Sequence, residues 1–199
     1  MESTGYWAVD PMQLEAEHCS RAIETLKNLR SICAKKTELV FIFEPEKANF
    51  LGPSTDELNR QMLNLAQTKL KDLCDQFPDV LSPEPHILNQ LKGESSTRTL
   101  QKWITERNPK FLLMLTHARK GMERLFLGSF TEKMVLEATC PLFVVNPSTM
   151  DPKPIHNVMY ATDFSDTAQK TFDNLLDQAK ISDFKITLFH KLYSLQESM

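Results

Sequence analysis

The apolar run Phe111-Leu112-Leu113-Met114-Leu115 directly follows the sequence Asn108-Pro109-Lys110. Such a run does not alternate between apolar and polar residues, which is typical of a strand buried on both faces of a parallel sheet. Leu39-Val40-Phe41-Ile42-Phe43 has the same character, and Leu142-Phe143-Val144-Val145 is a shorter example. A sheet built from such strands needs helices on both faces, so helices are expected between the runs.

Helical periodicity and turn residues fill the segments between the runs. Apolar residues recur every three or four positions from Cys19 to Ile32, which predicts a helix. Ser54 with Glu57 forms one capping box and Ser129 with Glu132 forms another, and each is expected to open a helix with its serine as the N-cap. The remaining predicted elements are a strand at Tyr6–Val9, a strand at His86–Leu91 and a short helix around Leu100, Trp103 and Ile104.

Five strands therefore alternate with four helices, which predicts an α/β fold: a doubly wound, five-stranded parallel sheet with helices on both faces. Ligands of such folds bind beyond the carboxyl ends of the strands, where the strand order reverses. The expected site thus combines Asp10-Pro11-Met12 after the first strand, Thr116-His117-Ala118 after the fourth, and the helix amino end at Ser129. Free N–H groups and a positive dipole end make this a generic anion site.

Composition excludes several functional classes. The 199 residues carry a net charge of −3, so there is no basic footprint for nucleic acid. Only five glycines occur, and they cannot form G-x-G-x-x-G or G-x-x-x-x-G-K-[ST], which excludes dinucleotide dehydrogenases and P-loop kinases. The four cysteines and five histidines are scattered without metal-ligand spacing, and no membrane-length apolar run occurs. We therefore expect no metal, no membrane contact and a reduced, cytoplasmic protein.

The chain begins a second copy of its own pattern after a proline-rich stretch. Residues 1–147 are predicted to form one domain, 148–156 a linker, and 157–199 a partial β-α-β repeat. Trp7-Ala8-Val9-Asp10 is matched by Tyr160-Ala161-Thr162-Asp163. Two strands cannot bury both faces of a sheet alone. The repeat is thus expected to dock on the first domain, to pair with another chain, or to be part of a longer protein.

The segment Gly121–Ser129, the ending Cys140-Pro141-Leu142-Phe143-Val144-Val145 and the opening Ala161-Thr162-Asp163-Phe164-Ser165 resemble the universal stress protein family. The resemblance covers the whole chain and implies a tandem member whose second repeat is truncated. ATP-binding members of that family carry G-x-x-G-x9-G-[ST]. Gly128-Ser129 matches the end of this motif, but Leu115 and Ala118 stand where the first two glycines would be. Because a side chain at these positions takes space that a nucleotide needs, the departure favours a degenerate site.

The resemblance implies a cofactor-binding set after the first and fourth strands, and two further nucleotide candidates, Asp163 and Ser165, in the second repeat. Each residue also has a structural interpretation: aspartate after a strand is a turn residue, serine at a helix start is a cap, and a lone histidine is a hydrogen-bonded loop residue. The basic residues of 119–124 are expected to form a solvated loop. The implied cofactor-binding residues are Asp10, His117, Ala118, Gly128, Ser129 and Phe130.

No nucleophile, base and orienting group can be chosen from the spacing, so no catalytic residue is predicted. The resemblance implies a homodimer through the last strand, Leu142, Phe143, Val144 and Val145. It points to a cytoplasmic regulatory or binding module of the stress response that needs no cofactor. The alternative is an ATP-binding sensor, with slow hydrolysis at most, that uses Asp10 and the Gly128-Ser129 loop. A thiol switch at Cys140 is a third interpretation, against that of a buried cysteine.

Overall fold

The computed structural model describes residues 4–29, 36–45, 54–116, 129–146, 156–182 and 184–191. The chain divides into two compact units, Met1–Pro152 and Lys153–Met199, which are described separately below.

The first unit is a doubly wound α/β layer structure. Its five strands form one sheet in the order β3-β2-β1-β4-β5, and every neighbouring pair is parallel. The predicted fold class is confirmed, and the strand order reverses between β1 and β4. The elements are β1 Gly5–Ala8, α1 Ala16–Asn28, β2 Glu38–Phe43, α2 Ser54–Gln76, β3 His86–Asn89, α3 Ser96–Arg107, β4 Phe111–Leu115, α4 Ser129–Glu137 and β5 Leu142–Val145.

Alternate residues of the strands bury into two cores, one on each face of the sheet. Trp7 and Leu113 pack with α1 and α2, whereas Tyr6 and Leu112 pack with α3 and α4. Nine side chains of these two cores, including Trp7 and Ile104, are completely inaccessible to solvent. Since the central strands are buried on both sides, their sequences carry no alternation, as the apolar runs predicted.

Several predicted element ends differ from the observed ones. β3 ends at Asn89 instead of Leu91. Ser54 and Ser129 begin the described parts of α2 and α4, and the residues before them lie outside the described ranges, so their capping roles stay predictions. The cap that sequence reasoning missed is Ser95, whose hydroxyl oxygen accepts the Arg98 N–H at 3.3 Å and opens α3. Helix starts depend on one or two residues of backbone geometry, which the capping pattern alone does not fix.

The second unit repeats the β-α-β pattern with β6 Asn157–Ala161, α5 Asp166–Ser182 and β7 Lys185–Phe189. β6 ends at Ala161, just before the Thr162-Asp163 pair that follows the strand. The Thr162 N–H donates to Phe189 O at 2.9 Å, as the Val9 N–H donates to Val40 O at 3.0 Å in the first unit. The strand ends of the two units therefore have the same local geometry.

Candidate functional site

A cavity of about 470 Å³ lies at the carboxyl ends of the central strands in the first unit. It is lined by the last residues of β1, β2 and β4 and by adjoining residues of α1, α2, α3 and α4. This is where the strand order reverses, so the cavity occupies the position that parallel sheets use for ligands. Its volume falls within the usual range of about 300–1,000 Å³ for small-molecule sites.

Asp10 lies at the cavity wall and also closes a turn. Its Oδ1 accepts the Met12 N–H at 2.9 Å, and its carbonyl oxygen accepts the Gln13 N–H at 3.2 Å. Asp10 therefore has the turn role that its position after a strand favours. A carboxylate has about four acceptor sites, so the bond to Met12 leaves Asp10 able to accept from a ligand as well.

Glu44 and Ser96 also line the cavity, and sequence reasoning missed both. The Ser96 hydroxyl donates to Glu44 Oε1 and links the end of β2 to the first turn of α3. Glu44 directly follows the strand run that ends at Phe43. Asp10 was located by the rule that ligand-binding residues follow the carboxyl ends of strands. The same rule, applied to the second strand, would have identified Glu44. No sequence pattern of this kind identifies Ser96, because it lies 52 residues from Glu44 in the chain.

Leu115 forms part of the cavity wall, and its half-buried side chain also packs against the core cluster of Trp7 and Leu113. The side chain thus lies against the core and at the border of the ligand space at once. The adjoining Thr116 is buried, and its N–H donates to Val145 O at 2.8 Å. This bond fixes the end of β4 to β5, so the cavity wall at Leu115 has little freedom to move away from a ligand.

The amino end of α4 reaches the cavity through Phe130 and Thr131. Ser129 is exposed and does not line the cavity among the residues that the structure describes. His117, Ala118 and Gly128 lie outside the described residues, so these three predictions stay predictions. The structure brings Asp10 and Phe130 to one cavity.

Asp163 and Ser165 belong to the second unit, where they form a turn like that of Asp10. The Ser165 N–H donates to Asp163 Oδ1 at 3.0 Å, and this bond chiefly holds the pKa of the Asp163 carboxyl below its usual value. The Ser165 hydroxyl oxygen in turn accepts the Ala168 N–H at 3.2 Å at the start of α5. Both residues thus have structural partners, and their nucleotide role stays a prediction.

A second polar cluster lies at the opposite, amino end of the sheet. His86 Nε2 is 2.6 Å from Glu38 Oε2, and the Tyr6 ring packs edge-on against Trp103 with centroids 4.5 Å apart. Burial, followed by the charge of Glu38, raises the pKa of Tyr6. Arg107 lies 4.4 Å from the centre of the Trp103 ring. The members all bond or stack with one another, so this cluster joins α3 to three strands.

Burial raises the pKa of the Cys140 thiol, and of Cys19 and Cys74 likewise. A thiol held in the protonated form is a poor nucleophile, which agrees with the interpretation of Cys140 as a packing residue. Within the described ranges, no three histidine, cysteine or acidic residues are grouped to hold a metal ion. None of the helices in those ranges is both long and apolar enough to cross a bilayer.

Comparison with solved structures finds the same fold in universal stress proteins of low sequence identity. A family protein of Burkholderia pseudomallei is 16% identical with a TM-score of 0.53, over 72% of this chain and 96% of that one. UspA of Lactobacillus plantarum is 14% identical with a TM-score of 0.51, over 73% and 99%. A universal stress protein of Archaeoglobus fulgidus is 13% identical with a TM-score of 0.67, over 99% of this chain and 70% of that one.

No protein in the curated set with which the sequence was compared matches it. The model of the universal stress protein family matches residues 17–146, which include every element from β2 to β5. The match spans well over half of the chain and agrees with the strand order and with the cavity at its reversal point. The chain belongs to the universal stress protein family.

Proposed function

We propose that this protein is a dimeric regulatory module of the stress response whose nucleotide cavity is retained in outline but altered for ATP. The observation that carries the proposal is the position of Leu115, in the cavity wall and against the core at once. A leucine there narrows the space beside the end of β4, where a glycine would let a nucleotide approach the backbone. The module acts by binding rather than by turnover.

The edge position of β5 supports self-association. Among the described strands β5 pairs only with β4, so its other edge has free backbone groups. Leu142, Phe143, Val144 and Val145 are all apolar, and Val144 is 36% exposed. An apolar strand with one open edge is suited to pair with the same strand of a second copy. Such pairing would bury these side chains and give hydrogen-bond partners to the backbone groups at the open edge.

Light scattering on the purified full chain tests this part of the proposal. The native protein is expected at twice the monomer mass, and Val144→Lys is expected as a folded monomer because the lysine charge would be buried at the strand pair. Leu65→Lys is the matched control, since Leu65 is an exposed apolar residue on α2. A native monomer, or a dimer that survives Val144→Lys, contradicts the proposed interface.

A second candidate, an ATP-binding stress sensor, is favoured by the amino end of α4. Phe130 and Thr131 bring this end to the cavity, where its N–H groups and dipole favour a phosphate. The sensor would use Gly128 and Ser129 for the phosphates and Asp10 for the base. It predicts nucleotide in the purified protein, released on denaturation and identified by chromatography. Gly128→Val would then abolish binding while the dimer stays folded.

A further inference from the structure

The second unit repeats the start of the first unit closely enough for single positions to be compared. Ala161 in β6 is the register partner of Phe189 in β7, as Ala8 in β1 is the register partner of Val40 in β2. Both strand pairs are parallel, and the hydrogen bonds that follow them join the same positions. β6 and β7 therefore correspond to β1 and β2, residue by residue.

One face of the two-stranded sheet in the second unit is open to solvent. Tyr160 packs against Phe172 of α5, with ring centroids 5.2 Å apart, so the neighbouring residue Met159 points to the opposite face. Met159 is 72% exposed, and Phe189, which shares its face, is 51% exposed. The face away from α5 therefore presents two large apolar side chains to water.

The same face is covered in the first unit. Tyr6 and Val40 occupy the positions that correspond to Met159 and Phe189, and both are buried. They belong to the core that α3 and α4 complete, and the Trp103 ring of α3 lies 4.5 Å from the Tyr6 ring, centroid to centroid. The first unit thus shows what kind of element covers this face.

The edge of the sheet in the second unit is open on the same side of the topology. β1 pairs with β2 at one edge and with β4 at the other, whereas among the described strands β6 pairs only with β7. Exposed edges are usually protected by charged side chains, proline or bulges, but Asn157–Ala161 contains no charged residue and no proline. In the first unit one continuous segment, α3 followed by β4, covers both the face and the edge.

We propose that the second unit binds a helix–strand segment of a different protein, built like α3 and β4. Its helix has apolar residues at the spacing of Leu100, Trp103 and Ile104 and covers the open face, and its apolar strand pairs in parallel with β6. An aromatic residue at the position of Trp103 contacts the thioether of Met159, which is a favourable pair. A second copy does not supply the segment, because its own α3 and β4 are already part of its sheet.

A labelled synthetic peptide that copies Glu94–Thr116 is the probe, because this segment covers the corresponding face in the first unit. The full chain is titrated into the peptide and binding is followed by fluorescence anisotropy. We expect saturable binding with a dissociation constant below about 100 µM. A peptide of the same composition in shuffled order is the control and is expected not to bind. No saturable binding of the native-order peptide overturns the inference.

Two lysine variants of the full chain locate the binding surface. Met159→Lys should weaken peptide binding at least about tenfold, because the peptide helix would bury the lysine charge. Leu188→Lys is the matched control: Leu188 is also an exposed apolar residue of this sheet, but it is the register partner of Tyr160 and lies on the α5 face. Its affinity for the peptide should stay unchanged. Equal affinity in both variants, or equal losses, overturns the proposed face.

The other possible occupants of the face give different results. If Met159→Lys lowers the mass of the native assembly in light scattering, a second copy covers the face. If the peptide does not bind and Met159→Lys alone lowers the free energy of unfolding in urea, the face packs within the chain. Either result overturns the inference. Val144→Lys should leave peptide binding unchanged, so the outcome for the proposed dimer is measured separately.

Discussion

Replacing Leu115 and Ala118 by glycine should restore ATP binding and weaken the fold at the same time. Truncating a buried leucine costs about 2–5 kcal/mol. Leu115 is half-buried against its core cluster, so the low end, about 2 kcal/mol, applies. Glycine within a strand adds about 0.5–1 kcal/mol. The variant Leu115→Gly/Ala118→Gly should therefore lose about 3 kcal/mol, which a domain of ordinary stability, about 5–15 kcal/mol, survives.

Urea unfolding measures the loss, and calorimetry measures ATP binding. We expect the affinity for Mg·ATP to rise at least about tenfold, or about 1.4 kcal/mol, because the wall beside β4 opens. Leu113→Ala/Ala118→Gly is the matched control: Leu113 lies on the same strand and faces the same core, but does not line the cavity. A gain in this control, or none in the Leu115 variant, would refute Leu115 as the obstacle.

Three further predictions concern packing and ionisation. Gly5→Ala should lower the free energy of unfolding by about 1–3 kcal/mol in urea, because the added methyl group overlaps the buried Phe111 ring; unchanged stability would contradict this packing. Burial raises the pKa of Cys74 to about 11, so at pH 8 its thiol should react with a disulfide reagent far more slowly in the native protein than in urea, and equal rates would contradict it. The pKa of the Asp163 carboxyl, followed by carbon NMR, should lie below the ordinary aspartate value, since the Ser165 N–H stabilises the carboxylate. The contribution of this bond to stability is then complete above the ordinary pKa and is lost as the pH falls through the lowered pKa. A titration midpoint at the ordinary pKa would contradict the bond.

The fold could be predicted because a strand that is buried on both faces has apolar residues at successive positions, which the sequence shows directly. Phe111–Leu115 is apolar throughout, since one set of its side chains faces α1 and α2 and the other faces α3 and α4. The ends of the helices and strands were harder to predict from the sequence. β3 stops at Asn89, before the predicted end at Leu91, and β6 stops at Ala161, ahead of the turn in which the Asp163 carboxylate accepts the Ser165 N–H.

The site was predicted in position but not in its chemistry. Asp10 follows a strand, so its place at the cavity could be derived from topology alone. The bond between Ser96 and Glu44 joins residues far apart in the chain, and no local pattern indicates it. Whether the Leu115 side chain packs against the core or points into the cavity depends on the space between its neighbours, which only the folded structure defines.

The most direct test of the altered cavity is a calorimetric titration of the purified full chain with Mg·ATP, after any co-purified nucleotide has been assayed. We expect no bound nucleotide and no heat of binding up to about 1 mM ATP, because the Leu115 side chain takes space that the phosphates need. Retained nucleotide, or a dissociation constant of about 1 µM, would contradict it and would make the protein an ATP sensor.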